Sequence, residues 1–229
     1  MASDELKQAA AAAAVKLVEP DMLVGLGTGS TARYAIQLLG ERYRQGLRFT
    51  GVPTSLASGD LARSLGIPVV DSPTETPIDL TIDGADEISE ADLTLIKGMG
   101  GALLREKIVA ARSRQEVIIA DETKLSPRLS GRVPVPVEVV AFGWASTKAR
   151  LVALGCRPVL KRDAQGEPFR TDGGNMIFNC KFDTLPDPAS IERTLAMIVG
   201  VVEVGLFLGL ATTALVASPT GVRRIDRAR

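Results

Sequence analysis

The chain contains no histidine, which removes imidazole as a general acid, a general base or a metal ligand. Cysteine is nearly absent: Cys156 and Cys180 are the only two, and no Cys-x-x-Cys occurs. Two thiols in a chain of this size are not a disulfide scaffold, and buried, reduced thiols fit a cytoplasmic protein. Aromatic residues supply only 4% of the 229 positions, against a hydrophobic fraction of 45%. The core must therefore be built from Ala, Val, Leu and Ile, as in sheets covered by helices. Neither sign of charge dominates, with 27 acidic and 27 basic residues. Without a basic excess, nothing drives binding to nucleic acid or to an anionic membrane. The N-terminal region lacks a signal-peptide core, because the alanine run at 9–14 is too weakly hydrophobic. With Asp4, Glu5 and Lys7 before it, that run reads as a helix stopped by Pro20. One stretch, 195–217, is long and apolar enough to suggest a membrane span, but Glu203 near its centre would cost about 2.5–3.5 kcal/mol in a bilayer. Its glycines Gly200, Gly205 and Gly209 favour a helix end followed by strands at 201–207 and 214–217.

What is present alternates. Strands are expected at 22–26, 48–52, 67–70, 78–83 and 116–120, with a short apolar run at 93–96. Helices are expected from about 30 to 43, at 55–65 and at 102–114. That rhythm predicts a Rossmann-like, mostly parallel sheet with helices on both faces. After the prolines and glycine of 127–136 the pattern becomes strand 135–140, helix 145–154, strands 158–162 and 175–182, helix 188–198 and strand 201–207. This β-α-β-β-α-β order is that of a ferredoxin-like α+β unit. The expected division is a Rossmann-like domain at 1–131 and 206–229, with a ferredoxin-like small domain at 132–205 inserted in it.

Three clusters carry chemistry. In the first, a strand runs into Gly25-Leu-Gly-Thr-Gly-Ser-Thr-Ala and then a helix. Backbone N–H groups and a helix dipole there form an anion site, with hydroxyls from Thr28, Ser30 and Thr31 beside Gly29. A dinucleotide fingerprint would need glycine where Ser30 stands and an acid near 48–50, while a P-loop would need a lysine. One phosphomonoester suits the loop better than a dinucleotide; a ligand-free strand–helix turn is the alternative. In the second, Asp83-Gly-Ala-Asp-Glu-Ile closes a buried strand and leaves Asp83 and Asp86 in a turn. In the third, Lys97-Gly-Met-Gly-Gly-Ala-Leu-Leu-Arg-Glu-Lys leads into the helix that carries Glu106. Glu106, in the second turn of that expected helix, shares a face with Ala102, Val109 and Ala110, where desolvation would raise its pKa toward a range useful for proton transfer. The alternative is a solvated Glu106 paired with lysine. Asp121-Glu-Thr-Lys124 ends a further strand, where Lys124 can reach a phosphate or simply face solvent.

Taken together, in this order and spacing, the three clusters resemble ribose-5-phosphate isomerase of the A type. The resemblance extends to Asp4-Glu-Leu-Lys7, Ala120-Asp-Glu-Thr-Lys124, Pro134-Val-Pro-Val-Glu138 and Gly205-Leu-Phe207, and so covers nearly the whole chain. It implies interconversion of ribose 5-phosphate and ribulose 5-phosphate in the non-oxidative pentose phosphate pathway, with no cofactor and no metal. It implies that Glu106 shuttles the proton, and that Asp83, Asp86 and Lys97 hold the sugar hydroxyls and stabilise an enediolate. Residues 28–31 with Lys7 and Lys124 would surround the sugar and phosphate, and Gly84, Ala85, Gly98, Met99 and Gly100 would complete the binding loops. The chain departs from the family pattern at Met99, where glycine is usual, and at Thr212 and Thr213, where an acid is common. A homodimer or homotetramer is the expected assembly. A sugar-phosphate-binding regulatory module of related α/β fold is the second reading, but it would not need Glu106 with Lys97 and would carry a DNA-binding segment. A CoA transferase-like enzyme with a glutamate nucleophile is the third, and no CoA site is found.

Overall fold

In the computed structural model, residues 3–72 and 75–228 are described. The helices are α1 (Ser3–Ala14), α2 (Ser30–Arg44), α3 (Leu56–Ser64), α4 (Leu103–Ala111), α5 (Trp144–Ala153) and α6 (Pro188–Ala196). The first seven strands are β1 (Leu23–Leu26), β2 (Thr50–Pro53), β3 (Leu80–Asp83), β4 (Glu87–Ser89), β5 (Leu95–Ile96), β6 (Glu116–Asp121) and β7 (Leu125–Ser126). The remaining seven are β8 (Val135–Val139), β9 (Arg157–Leu160), β10 (Met176–Lys181), β11 (Val201–Val204), β12 (Leu206–Phe207), β13 (Thr213–Ser218) and β14 (Gly221–Asp226). The chain divides into two compact units: residues 1–85, 105–125 and 209–229 form the first, and 86–104 and 126–208 the second.

The first unit is built on a six-stranded sheet of order β14-β13-β6-β3-β1-β2. Five of its strands run parallel, and β14 pairs antiparallel with β13. Every residue of β3 and β6 is buried, as expected of parallel strands covered on both faces. Val24, Leu26, Leu80, Ile82, Val117 and Ile119 pack with Ala35, Ile36 and Leu39 of α2 and with Ala10, Ala11 and Ala14 of α1. Ala10, Ala11 and Ala14 of α1 are fully buried, so their small side chains let the helix approach the sheet closely.

The second unit contains a four-stranded antiparallel sheet of order β11-β8-β10-β9, threaded β8-α5-β9-β10-α6-β11. That is the ferredoxin-like arrangement. Val135, Val137, Val139, Phe178 and Cys180 face its core with Leu151 of α5 and Leu195 of α6. Cys156 and Cys180 are buried and free. A smaller sheet of order β12-β5-β4-β7 completes the unit.

Several expected elements differ. Residues 67–70 form no strand: Val69 makes a single parallel bridge to Gly51, and Pro68 has no N–H with which to extend a ladder. The expected strand at 201–207 is broken at Gly205, whose N–H donates to Pro136 O at 2.7 Å while its own carbonyl accepts the Lys97 N–H at 2.9 Å. The chain thus leaves one sheet at Val204 and joins another at Leu206, which pairs with Ile96. A Cβ at residue 205 would lie 2.3 Å from Lys97 O, so only glycine fits there. β4 and β14 were not expected: β4 has three residues, and β14 is largely exposed and charged, without apolar alternation.

Candidate active site

In the first unit, β1 ends at Leu26 and α2 begins at Ser30, with Gly29 between them at φ 105°. This left-handed backbone suits glycine. Asp83, at the end of β3, is completely buried, and its Oδ1 accepts the Thr28 N–H at 3.0 Å and the Gly84 N–H at 2.7 Å. Asp83 thus ties the glycine–threonine loop to the end of β3 through two backbone N–H groups.

A hydroxyl cluster that sequence reasoning missed surrounds Thr28. Thr28 Oγ1 lies 2.7 Å from Thr54 Oγ1, 2.9 Å from Ser55 Oγ and 3.2 Å from Ser58 Oγ. Ser55 Oγ lies 2.9 Å from Ser58 Oγ, and the Ser58 hydroxyl donates to Gly27 O at 2.7 Å. Each hydroxyl has one proton, and Gly27 O can only accept, which sets the direction at that end. Leu26 O accepts both the Thr54 N–H at 2.9 Å and the Thr54 hydroxyl at 3.1 Å, one on each lone pair. The chain consistent with these contacts runs Thr28 to Ser55 to Ser58 to Gly27 O. The Thr28 proton is therefore committed within this cluster, where Thr28 Oγ1 donates to Ser55 Oγ. The available signal was the Ser55-x-x-Ser58 spacing, an N-cap pattern: Ser55 Oγ accepts the Ser58 N–H at 3.1 Å at the start of α3.

Gly27, Thr28, Gly29, Arg33, Ser55 and Ser58 line one cavity, of about 340 Å³. A neighbouring cavity is lined by Asp4, Gly29, Ser30, Arg33, Tyr34 and Gln37. Arg33 thus borders both, exposed on the first turn of α2, and it was not singled out from sequence. Ser30 is exposed and Thr31 half-buried at the same helix start. Lys7 pairs with Asp4 at 3.2 Å. Lys124 is half-buried in a 3₁₀ turn, Glu122–Lys124, where Asp121 accepts the Thr123 N–H at 3.0 Å. Glu106 is 4% exposed, and Ala102, Val109 and Ala110, expected on its face, are buried too. Because α4 begins at Leu103, Glu106 lies in the first helical turn, not the second. The unsatisfied N–H groups of a first turn favour a negative charge.

In the second unit, Asp86 Oδ2 accepts the Met99 N–H at 2.9 Å, and the Asp86 N–H donates to Ile96 O at 2.8 Å. Gly98 and Gly101 have φ of 106° and 102°, whereas Met99 lies outside the left-handed region. The loop therefore accepts an L-residue at 99 without backbone strain. Lys97 is 2% exposed, and its Nζ lies 5.5 Å from the centroid of the Phe207 ring, a cation–π contact. Glu87 is buried and accepts from Ser126 Oγ at 2.7 Å and the Val133 N–H at 3.3 Å, so its carboxylate is engaged within β4 and its surroundings. No group of three or more metal-ligating side chains occurs among the described residues.

The clusters expected from sequence are thus found in two groups: Thr28, Asp83 and Gly84 are bonded together in the first unit, and Asp86 with Met99 in the second. The chain passes from one unit to the other between Ala85 and Asp86 and again between Leu104 and Arg105, inside α4. At the other expected departure, Thr213 donates to Asp226 Oδ1 at 2.7 Å and Thr212 to Glu116 O at 3.0 Å, so both hydroxyls serve the sheet.

The family model of ribose 5-phosphate isomerase A (phosphoriboisomerase A) matches residues 50–221. Ribose-5-phosphate isomerase A of Synechococcus sp. (strain JA-3-3Ab) is 52% identical over 224 residues, covering 97% of each chain. The protein of the same name from Thermomicrobium roseum is 48% identical over 229 residues, covering 100% of this chain and 97% of its own. Among solved structures, a D-ribose-5-phosphate isomerase in complex with phospho-erythronic acid has a TM-score of 0.95 at 38% identity, covering 99% of this chain and 100% of that one. Ribose 5-phosphate isomerase A from Methanocaldococcus jannaschii has a TM-score of 0.93 at 37% identity, with the same coverage. No helix among the described residues is long and apolar enough to cross a membrane.

Proposed function

The chain belongs to the ribose 5-phosphate isomerase A family, and from that premise we propose that Glu106 carries the proton in the reaction. The protein is an aldose–ketose isomerase interconverting ribose 5-phosphate and ribulose 5-phosphate. In the aldose-to-ketose direction the Glu106 carboxylate removes the proton from C2, giving an enediolate, and returns it to C1. The oxygen on C1 gains a proton, the oxygen on C2 loses one, and the carbonyl moves to C2. One carboxylate serves both carbons if it faces one side of the sugar.

The observation that carries this reading is the burial of Glu106, 4% exposed, in the first turn of the helix that follows the glycine loop. With no histidine in the chain, a positioned carboxylate is the residue type suited to the transfer. Lys97 and the N–H groups of Gly98 and Gly100 stabilise charge on the enediolate oxygens, and Asp86 holds a sugar hydroxyl. Asp83 acts on the substrate chiefly through the loop whose N–H groups it accepts. Ser30, Thr31 and Arg33 at the start of α2 hold the phosphate, aided by Lys7 and Lys124. That binding energy positions the reacting carbons without itself reacting. In this reading no metal and no cofactor takes part.

The Glu106→Gln variant tests the assignment. A positioned base contributes on the order of 10²- to 10⁴-fold in rate, so kcat should fall by at least about 10²-fold with little change in KM. Glu106→Asp withdraws the carboxylate by one methylene and should fall between wild type and Gln. A folded Gln variant within tenfold of the wild-type kcat would remove Glu106 as the base.

Two coarser properties belong to the same proposal. The protein works in the cytoplasm, which its two free, buried thiols support. It assembles as a homodimer or homotetramer, a reading supported by the exposed apolar side chains Phe142, Met197 and Val199 of the second unit, at 93%, 83% and 79% exposure. Sedimentation equilibrium on the wild type decides the assembly.

A further inference from the structure

The Met99 backbone is held at both its N–H and its carbonyl. Its N–H donates to Asp86 Oδ2 at 2.9 Å, and its carbonyl accepts from Lys161 Nζ at 2.6 Å. Lys161 comes from the segment joining β9 to β10, where its own carbonyl accepts the Phe169 N–H at 3.0 Å. Phe169 fixes the same loop by a second contact: a Cβ on Gly101 would lie 2.4 Å from Phe169 Cζ, so the ring lies directly against that glycine. Lys161 Nζ lies 5.0 Å from the centroid of this ring, which helps hold the ammonium in place. The far arm of the segment is tied to the buried Glu138, whose Oε1 accepts from Thr171 Oγ1 at 2.8 Å and Asn175 Nδ2 at 2.9 Å.

The Met99 N–H is spent on Asp86, and the Gly101 N–H on Gly98 O at 2.9 Å. The Gly100 N–H donates to no described residue, and Gly100 is exposed. A peptide bond is planar and trans, so the Gly100 N–H points opposite to the Met99 carbonyl. Whatever orients that carbonyl therefore aims the Gly100 N–H. We infer that Lys161, seated on Phe169, is a positioning residue that aims the Gly100 N–H at the substrate oxygen on which charge develops. The inference rests on the isomerase reading above and adds a residue 62 positions from Met99 to its machinery. Lys161 acts through the peptide and need not touch the sugar.

The experiment compares wild type, Lys161→Met, Lys161→Arg, Phe169→Leu and Glu106→Gln, each with its melting temperature and with kcat and KM for ribose 5-phosphate. Removing one oxyanion donor costs about 10²- to 10³-fold, and a misaimed donor keeps part of its effect. Lys161→Met should lower kcat by about tenfold or more, with KM within about threefold of wild type. Lys161→Arg keeps a cation able to reach the Met99 carbonyl and should retain at least about a third of the wild-type kcat. Phe169→Leu, which loosens the seat but leaves the ammonium, should lower kcat by a smaller factor, and it carries the test if Lys161→Met does not fold. A Lys161→Met variant within about twofold of wild-type kcat would overturn the inference. So would a loss confined to KM, which is the sign of a direct phosphate contact, or a lowered melting temperature with unchanged kcat. If wild type and Glu106→Gln were equally inactive on ribose 5-phosphate, the isomerase reading itself would fail. An active wild type, an inactive Glu106→Gln and an unaffected Lys161→Met would sink only the role of Lys161.

Discussion

Gly27 lies so close to Asp83 that a Cβ on it would sit 2.3 Å from Asp83 Oδ1 and 2.6 Å from Asp83 Cα. The same Oδ1 accepts the N–H of the next residue, Thr28. The bare glycine is what lets β1 and β3 bring the loop and the carboxylate into contact. The absence of one side chain thus lets Asp83 fix the Thr28 N–H at the start of the loop.

Gly27→Ala should therefore damage both stability and binding. One of the three nearest atoms, Asp83 Cα, is backbone and cannot swing aside, and overpacking of this kind costs about 1–3 kcal/mol. Urea unfolding should show that loss, and the folded fraction should show a raised KM for ribose 5-phosphate. An unchanged midpoint and KM would mean that the loop relaxes without the Asp83 contact.

Ser58→Ala tests the hydroxyl chain. It leaves Gly27 O without its 2.7 Å donor and interrupts the path from Thr28. A buried carbonyl left without a partner costs about 1–3 kcal/mol. Ser55 Oγ should then lose its acceptor and the Thr28 hydroxyl its fixed orientation, so KM should change more than in Ser64→Ala, a substitution at an exposed serine at the end of α3. Equal kinetics for the two variants would show that the chain does not reach the substrate.

Arg33→Ala and the double change Ser30→Ala with Thr31→Ala should each raise KM for ribose 5-phosphate. Neither should alter residual activity on free ribose, which has no phosphate to hold. Arg33 is exposed, so screening applies, and its effect should shrink as salt is raised. Parallel losses on both sugars would argue that these residues shape the loop and do not bind the charged group.

The sequence by itself determined much of the local structure. Strand β1 running into a glycine loop and α2, the βαββαβ order of the second unit, and a carboxylate in the helix after residues 98–101 were all legible, because periodicity and turn chemistry act over a few neighbouring residues. Even there the boundary of α4 moved, and with it Glu106 passed from the second turn to the first. The break at Gly205 was invisible, since Val201, Val204, Leu206 and Phe207 read as one apolar run, although they divide between two sheets. Only the tertiary structure decided which side chains support the loops. Thr54, Ser55 and Ser58 reach Thr28 because β2 lies beside β1 in register, Leu26 opposite Pro53. Lys161 reaches Met99 because the segment after β9 folds back on the glycine loop. Such contacts depend on strand order and register, which come from the packing of the whole core and leave no periodic trace in the residues that make them.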